Sequence, residues 1–391
     1  MARRLLAPHA VAVTGSAIGL LSLAAGWLTI RPNRLASGTS LSLWAGFGWQ
    51  LAAVIAALWL ACFLLSFAGN RRRYVIGLGL ALNLAVILTF LFCGSSATRL
   101  LGGASSLSRV SFGAGVWISS LGAYIAIFSC RQRLAGSPVW RNLVSWSALL
   151  GVASLLASGW LNNLSVIVEF RNQQAQFASQ LLTHVILFAG TVFVGTLIGI
   201  PLGIWASRSR SAEKPVFFIT NIVQTVPTLA LFGILIAPLS ALSLAFPVLK
   251  QVGISGIGAA PAIIALILYS LLPVVRNTYV GIRQIDPSMT DAARGMGMSR
   301  GQIFRRIEVP LSARLVTEGI RTAAVQAVGN TALAALIGAG GLGYFIFQGI
   351  SQAANDLVIL GAVPILALAL VVDLGMRGLV RIATPRGVVP A

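Results

Sequence analysis

The chain has 391 residues, of which 57% are hydrophobic and only 9% charged, against about 25% charged in an ordinary soluble domain, so a soluble globular protein is excluded. Its 28 Lys and Arg against 8 Asp and Glu, a net charge of +20, point either to a nucleic-acid partner or to topology signals between membrane spans. The placement of those charges along the chain decides between the two.

A basic start, MARRLLAPHA, leads into about 20 apolar residues. That run is too long for a typical signal peptide and lacks a clean AxA site, which predicts an uncleaved first span. Windows long enough to cross a bilayer as helix fall near residues 10–30, 44–68, 74–93, 112–130, 142–161, 181–206, 216–239, 261–280, 315–337 and 357–376, each near the roughly 20 residues a span needs. The expected fold class is therefore an all-α polytopic membrane protein of about ten helices, with both termini on one side. Alternate connections hold Arg3, Arg4, Arg71–Arg73, Arg131, Arg133, Arg141, Arg208, Arg210, Lys214, six arginines between 281 and 316, Arg377, Arg381 and Arg386, which makes 20 basic residues. The other connections hold six: Arg31, Arg34, Arg99, Arg109, Arg171 and Lys250. By the positive-inside rule the first set is cytoplasmic, and the charge is accounted for without nucleic acid. Cys62, Cys93 and Cys130 lie in or beside apolar runs with no CxxC, so no metal or redox site is expected.

The first 168 residues contain no acid. A polar stretch over 162–180, placed outside the membrane, divides an N-terminal transmembrane extension (1–165, about five helices) from a second part (166–385, about five helices). The extension reads as a packing bundle held by small-residue contacts. The second part includes a long cytoplasmic connection over 281–316, GIRQIDPSMTDAARGMGMSRGQIFRRIEVPLSARLV, and long ordered loops are usually functional. Asp286 and Pro287 read as an N-cap and first helical residue, and Gly297 as a left-handed stop. Ser299 with Gln302 reads as a capping box opening a second helix that stops near Pro310. Docking of a partner groove on the small Ala292–Ala293 surface and contact with anionic membrane lipid both suit this segment.

The run DAARGMGMSRGQIFRRIEVP resembles the cytoplasmic EAA loop of permease subunits in binding-protein-dependent ABC importers. Asp291, Ala292 and Ala293 stand for EAA, Gly297 follows after three residues, Ile307 after nine more, and Val309-Pro310 closes the pattern. The resemblance implies that the loop, 281–314, is a coupling element seated on a separate ATPase subunit. ATP and magnesium would bind there, so the chain is no enzyme and carries no cofactor. In keeping with this, no GxxxxGK[ST] loop occurs in the sequence. It implies further partners: a second permease subunit, either a copy or a shorter paralogue, and a periplasmic binding protein. IGIPLGIWASRS (198–209), NIVQTVPTLALFGILIAPL (221–239) and GNTALAALIGAGGLGYFIFQGI (329–350) resemble the branch that takes up glycine betaine and related quaternary ammonium osmoprotectants, located in the bacterial inner membrane. PNRLASG after the first span, with the five-span extension, resembles one subgroup of glycine-betaine permeases.

Polar residues within spans point to a translocation path or to hydrogen bonds between helices. Asn221, Gln224 and Thr225 cluster before Pro227, and Asn330 and Thr331 lie in the ninth span. Tyr269 is a candidate cation-π partner for a quaternary ammonium or a packing residue. GAGGLG (338–343) contains GxGxxG, yet it follows an apolar helix instead of a strand, so it reads as a turn allowing close backbone approach, not a nucleotide loop. Arg314, Glu318 and Arg321 can neutralise one another along one helix face. Asp356 suits a helix N-terminus, and His184 reads as structural. An ion-coupled secondary transporter is the competing class. It would need intramembrane carboxylates as ion sites, and the spans offer only Glu318 and Asp373.

Overall fold

A computed structural model describes residues 10–34, 36–69, 71–251 and 253–384; Arg3, Arg4 and Arg386 of the topology count lie outside the described residues. The chain falls into two compact units, Met1–Asn172 and Gln173–Ala391. Among the described residues, nine helices are long and apolar enough to cross a membrane, and a tenth apolar helical run, Ala10–Ala24, is shorter.

In the first unit, α1 (Ala10–Leu21) ends early: a 3-10 turn over Ser22–Ala24 leads into strand β1 (Gly26–Arg31), not into the continuous helix expected over 10–30. The Ser22 hydroxyl donates to the Gly19 carbonyl at 2.6 Å, and the Ser22 carbonyl accepts from Trp27 Nε1 at 2.8 Å. The indole is thereby drawn back over the turn, where it is fully buried and meets Phe47 edge-on. An apolar run alone does not tell helix from strand. β1 is the centre of an antiparallel three-stranded sheet with β2 (Thr39–Ser42) and β3 (Arg109–Phe112).

Around this sheet stand α2 (Leu43–Phe47), α3 (Trp49–Ser66), α4 (Arg72–Leu101), α5 (Ala114–Arg133), α6 (Pro138–Ala157) and α7 (Ser165–Asn172). Gly15 on α1 and Gly122 on α5 approach so closely that a Cβ on either would sit 2.6 Å from the other's carbonyl oxygen. Small residues allow this contact where lipid supplies no hydrophobic drive between helices. The polar stretch expected as a linker is helical. Buried Glu169 on α7 pairs with Arg34 at 3.5 Å, which ties α7 to the first unit.

The second unit comprises α8 (Gln174–Arg208), α9 (Arg210–Thr225), α10 (Thr228–Ala245), α11 (Val248–Gln251), α12 (Ala259–Arg283), α13 (Pro287–Gly295), α14 (Arg300–Ile303), α15 (Val309–Thr331), α16 (Gly343–Ser351) and α17 (Asn355–Ala383). α12 is its axis. Gly195, Gly199 and Gly203 of α8, one turn apart, face Ser270, Val274 and Thr278 of α12, leaving no room for a Cβ. On another side, Gly319 of α15 lies against Asn277 and the Pro273 carbonyl of α12. The span expected over 216–239 is instead two helices broken at Val226-Pro227, because Pro227 supplies no N–H to continue the first ladder.

Candidate coupling segment and translocation path

The connection expected to couple is built by local signals. Asp286 caps α13, its carboxylate accepting from the Ser288 N–H at 2.9 Å; that bond holds the Asp286 carboxyl below its ordinary value. At the far end Met298 N–H donates to Ala293 O at 3.1 Å and Gly297 N–H to Arg294 O at 2.9 Å. With Gly297 at φ +78°, this is the Schellman arrangement that only glycine adopts without strain. Ser299 and Gln302 form the reciprocal capping box. Of the motif residues, Ala293 is fully buried, Ile307 half-buried, and Asp291, Ala292, Gly297 and Pro310 exposed. Asp291 pairs with Arg294 at 2.8 Å, both about two-thirds exposed, and Met289 and Met296 are exposed beside them. α13 thus presents an apolar, small-residue face rimmed by charge.

The second helix does not stop near Pro310. Helix α14 passes through a π turn over Phe304–Glu308 and continues as α15, so one helical run extends over Arg300–Ile337. The ring of Pro310 would crowd the carbonyl four residues before it and offers no N–H; widening the ladder just upstream accommodates both. Arg208 at the end of α8 bonds Glu308 at 2.5 Å and stands over the Phe304 ring at 5.3 Å. On the α9 side, Tyr279 of α12 donates to Glu213 at 2.9 Å and meets Phe217 edge-on. The π turn is therefore tied to α8 and continuous with α15. Arg208 and Glu308 had no sequence signal, since they lie 100 residues apart.

Gln224 and Tyr269 brace the break in the seventh expected span. Gln224 Nε2 donates to the Tyr269 carbonyl at 2.6 Å, and the Tyr269 hydroxyl donates to the Val226 carbonyl. A non-helical backbone at membrane depth needs such partners. Asn221 and Thr225 are exposed, and the Thr225 hydroxyl bonds its own helix at Ile222 O. Thr331 is fully buried and bonds Ala327 O at 2.6 Å; Asn330 beside it is half-exposed. The six residues therefore divide: Gln224 and Tyr269 form the brace, Thr331 is buried and bonded to its own helix, and Asn221, Thr225 and Asn330 keep accessible surface.

The glycine-rich turn is held by a pair of α8 side chains one turn apart. Gly338, Gly340 and Gly341 all have positive φ. Gln180 Oε1 accepts from Gly341 N–H at 2.6 Å, and His184 Nδ1 accepts from Leu342 N–H at 3.2 Å. With Nδ1 an acceptor, the His184 Nε2 carries the proton and donates to Val328 O at 3.0 Å. The structural reading of His184 thus acquires a specific partner set. Gln180 and His184 as polar residues at i and i+4 in a long apolar helix are a signal that sequence inspection passed over.

Glu318 pairs with Arg321 at 2.9 Å, but Arg321 also bonds Asp373 of α17 at 2.7 Å, and Asp373 in turn bonds Arg377 at 2.8 Å. The expected one-helix cluster with Arg314 is therefore a two-helix network. Asp356 lies in the first turn of α17.

Residues 195–382 match the family described as binding-protein-dependent transport system inner membrane component, and residues 7–167 match the ABC transporter permease YehY N-terminal domain. The carnitine transport permease protein OpuCB of Listeria monocytogenes is 35% identical, over 57% of this chain and 95% of that one. The osmoprotectant import permease protein OsmW of Salmonella typhimurium is 38% identical over 54% and 93%, and the choline transport system permease protein OpuBB of Bacillus subtilis 36% over 52% and 87%. Among solved structures, the inward-facing MetNI methionine ABC transporter is similar at 21% identity and a TM-score of 0.45, covering 54% of this chain and 96% of that one.

Proposed function

The chain belongs to the permeases of binding-protein-dependent ABC importers, and on that footing we propose that it carries a small quaternary ammonium osmoprotectant, glycine betaine or a chemical relative, into the cytoplasm. It is a multi-span membrane protein with the role of a transport permease. Carnitine and choline, named for two of its relatives, share a trimethylammonium group, which makes this solute class the common denominator. Solute arrives from a periplasmic binding protein, and ATP is hydrolysed on separate subunits docked at α13. The permease pairs with a second copy or with a shorter paralogue, and both termini face the cytoplasm.

The observation that carries this reading is the build of residues 287–308. A short helix, capped at both ends, offers the exposed Asp291–Ala292 face and is joined by the tight Gly297 turn to α14, which is continuous through the π turn with a spanning helix. A load applied there reaches the membrane helices without an intervening flexible loop. The glutamate and aspartate of the spans, Glu318 and Asp373, are tied to arginines, an arrangement unlike the free carboxylates of an ion-coupled carrier. The test is reconstitution with the cognate ATPase and binding protein, reading uptake of labelled glycine betaine. Asp291→Lys combined with Gly297→Val is expected to reduce ATP-dependent uptake at least tenfold. Uptake that survives those changes and follows an ion gradient without ATP overturns the reading.

A further inference from the structure

At one end of the first unit, Arg71, Arg72, Arg73, Arg131, Arg133 and Arg141 gather where α4 and α6 begin and α5 ends. Their unit supplies no carboxylate to balance them: the sole acid in residues 1–172 is Glu169, and it pairs with Arg34. Between these helices opens a cavity of about 230 Å³ lined by Arg72, Val75, Arg133, Leu134, Gly136 and Ser137. Arg133 is half-buried, and its Nε is shielded from water with no hydrogen-bond partner. Arg72 donates to the Ser137 hydroxyl, which holds its guanidinium at the mouth. Neither α4 nor α6 has a side-chain cap, so the positive ends of a 30-residue and a 20-residue helix are unneutralised at the pocket that both guanidiniums line.

We propose that this pocket binds the phosphate of an anionic ligand, a lipid headgroup or a free phosphate. Two guanidiniums from different elements, with uncapped helix starts beside them, form a multidentate site for a tetrahedral oxyanion. The volume lies below the roughly 300–1,000 Å³ of drug-sized pockets and suits a headgroup. Val75 and Leu134, both buried, form an apolar wall beside the charges. Basic pockets between membrane helices on the cytoplasmic side are a recurrent form of headgroup site, and the positive-inside count places this end in the cytoplasm. The proposal is independent of which solute is carried.

The test uses the purified full-length chain in neutral detergent, with melting temperature read in separate titrations of phosphatidylglycerol, inorganic phosphate and phosphatidylcholine, the last neutral overall. A saturable rise with phosphatidylglycerol alone assigns a headgroup site; a rise with inorganic phosphate as well assigns a small-anion site, and either supports the proposal. The Arg72→Gln, Arg133→Gln double variant is expected to weaken binding at least tenfold. The Arg72→Lys, Arg133→Lys variant should lose less, and Arg131→Gln, outside the pocket, less than twofold. Should the double Gln variant not fold, Arg133→Lys against Arg131→Lys makes the same comparison. No saturable response to either phosphate source, or equal losses for pocket and non-pocket variants, overturns it.

Discussion

The two units handle charge in opposite ways. In Gln173–Ala391, Glu213, Asp291, Glu308, Glu318 and Asp373 each bond a named side chain, and three of those contacts join different helices. In Met1–Asn172 Arg99 of α4 bonds the Gly46 and Phe47 carbonyls of the short α2, while bonds between the spanning helices come from neutral groups. Asn83 of α4 donates to Val144 O at 3.0 Å and accepts from Ala148 N at 2.8 Å on α6, and Trp59 of α3 donates to Ser119 of α5 at 3.2 Å. Charge pairing in the second unit links the helices that a coupling motion must move together. In the first, six arginines gather at one rim, available to a ligand outside the chain.

Removing charge from the network of the second unit should have the largest effect. Arg321→Ala strands Glu318 and leaves Asp373 with Arg377 as its remaining partner, so a loss of about 2–3 kcal/mol is expected in detergent unfolding. Asp373→Asn in the same background should restore part of it in a double-mutant cycle. If Arg321→Ala changes nothing, the contrast between the units fails. In the first unit Asn83→Ala should cost about 1–2 kcal/mol, and this loss, unlike the Arg321 effect, should not shift between low and high salt. Gly297→Ala places a Cβ at φ +78° and should cost about 1–2 kcal/mol, confined to α13, visible as faster amide exchange over 287–298 with the global melting point unmoved. The Asp286 cap adds a pH dependence. Its folded carboxyl titrates below the ordinary 3.8, so the cap's contribution is complete above that value and disappears as pH falls through the lowered one. Amide exchange of α13 should thus be flat from pH 7 to 5, after correction for the intrinsic rate, and rise only in strong acid. The smallest effect belongs to exposed Arg131 of the first unit: Arg131→Gln should leave stability within about 0.5 kcal/mol.

Much of the coupling segment was legible because its signals are local. Asp286-Pro287, Gly297 and the Ser299–Gln302 pair act within three residues of themselves, and each is used as its residue type suggests. The π turn was not legible, because Pro310 is also compatible with a helix stop, and its effect depends on whether α15 can continue. Nor was strand β1, whose apolar residues are as suitable for lipid as for a buried sheet. His184 offered a lone polar side chain in an apolar helix; the Leu342 and Val328 groups that give it meaning are more than 140 residues away in the chain.

By itself the sequence determined that this is a helical membrane protein, where eight of its spans lie, the acid-free character of its first part and the capped helix of the coupling segment. Composition and short-range hydrogen bonding set these, and both act over one span or less. The tertiary structure decided the early end of the first helix, the brace of Gln224 and Tyr269 at the break after Val226, the clamp on the glycine turn and the Arg321–Asp373 link. Each of these satisfies a polar group away from water with a partner from another element, and that choice depends on which helices pack together.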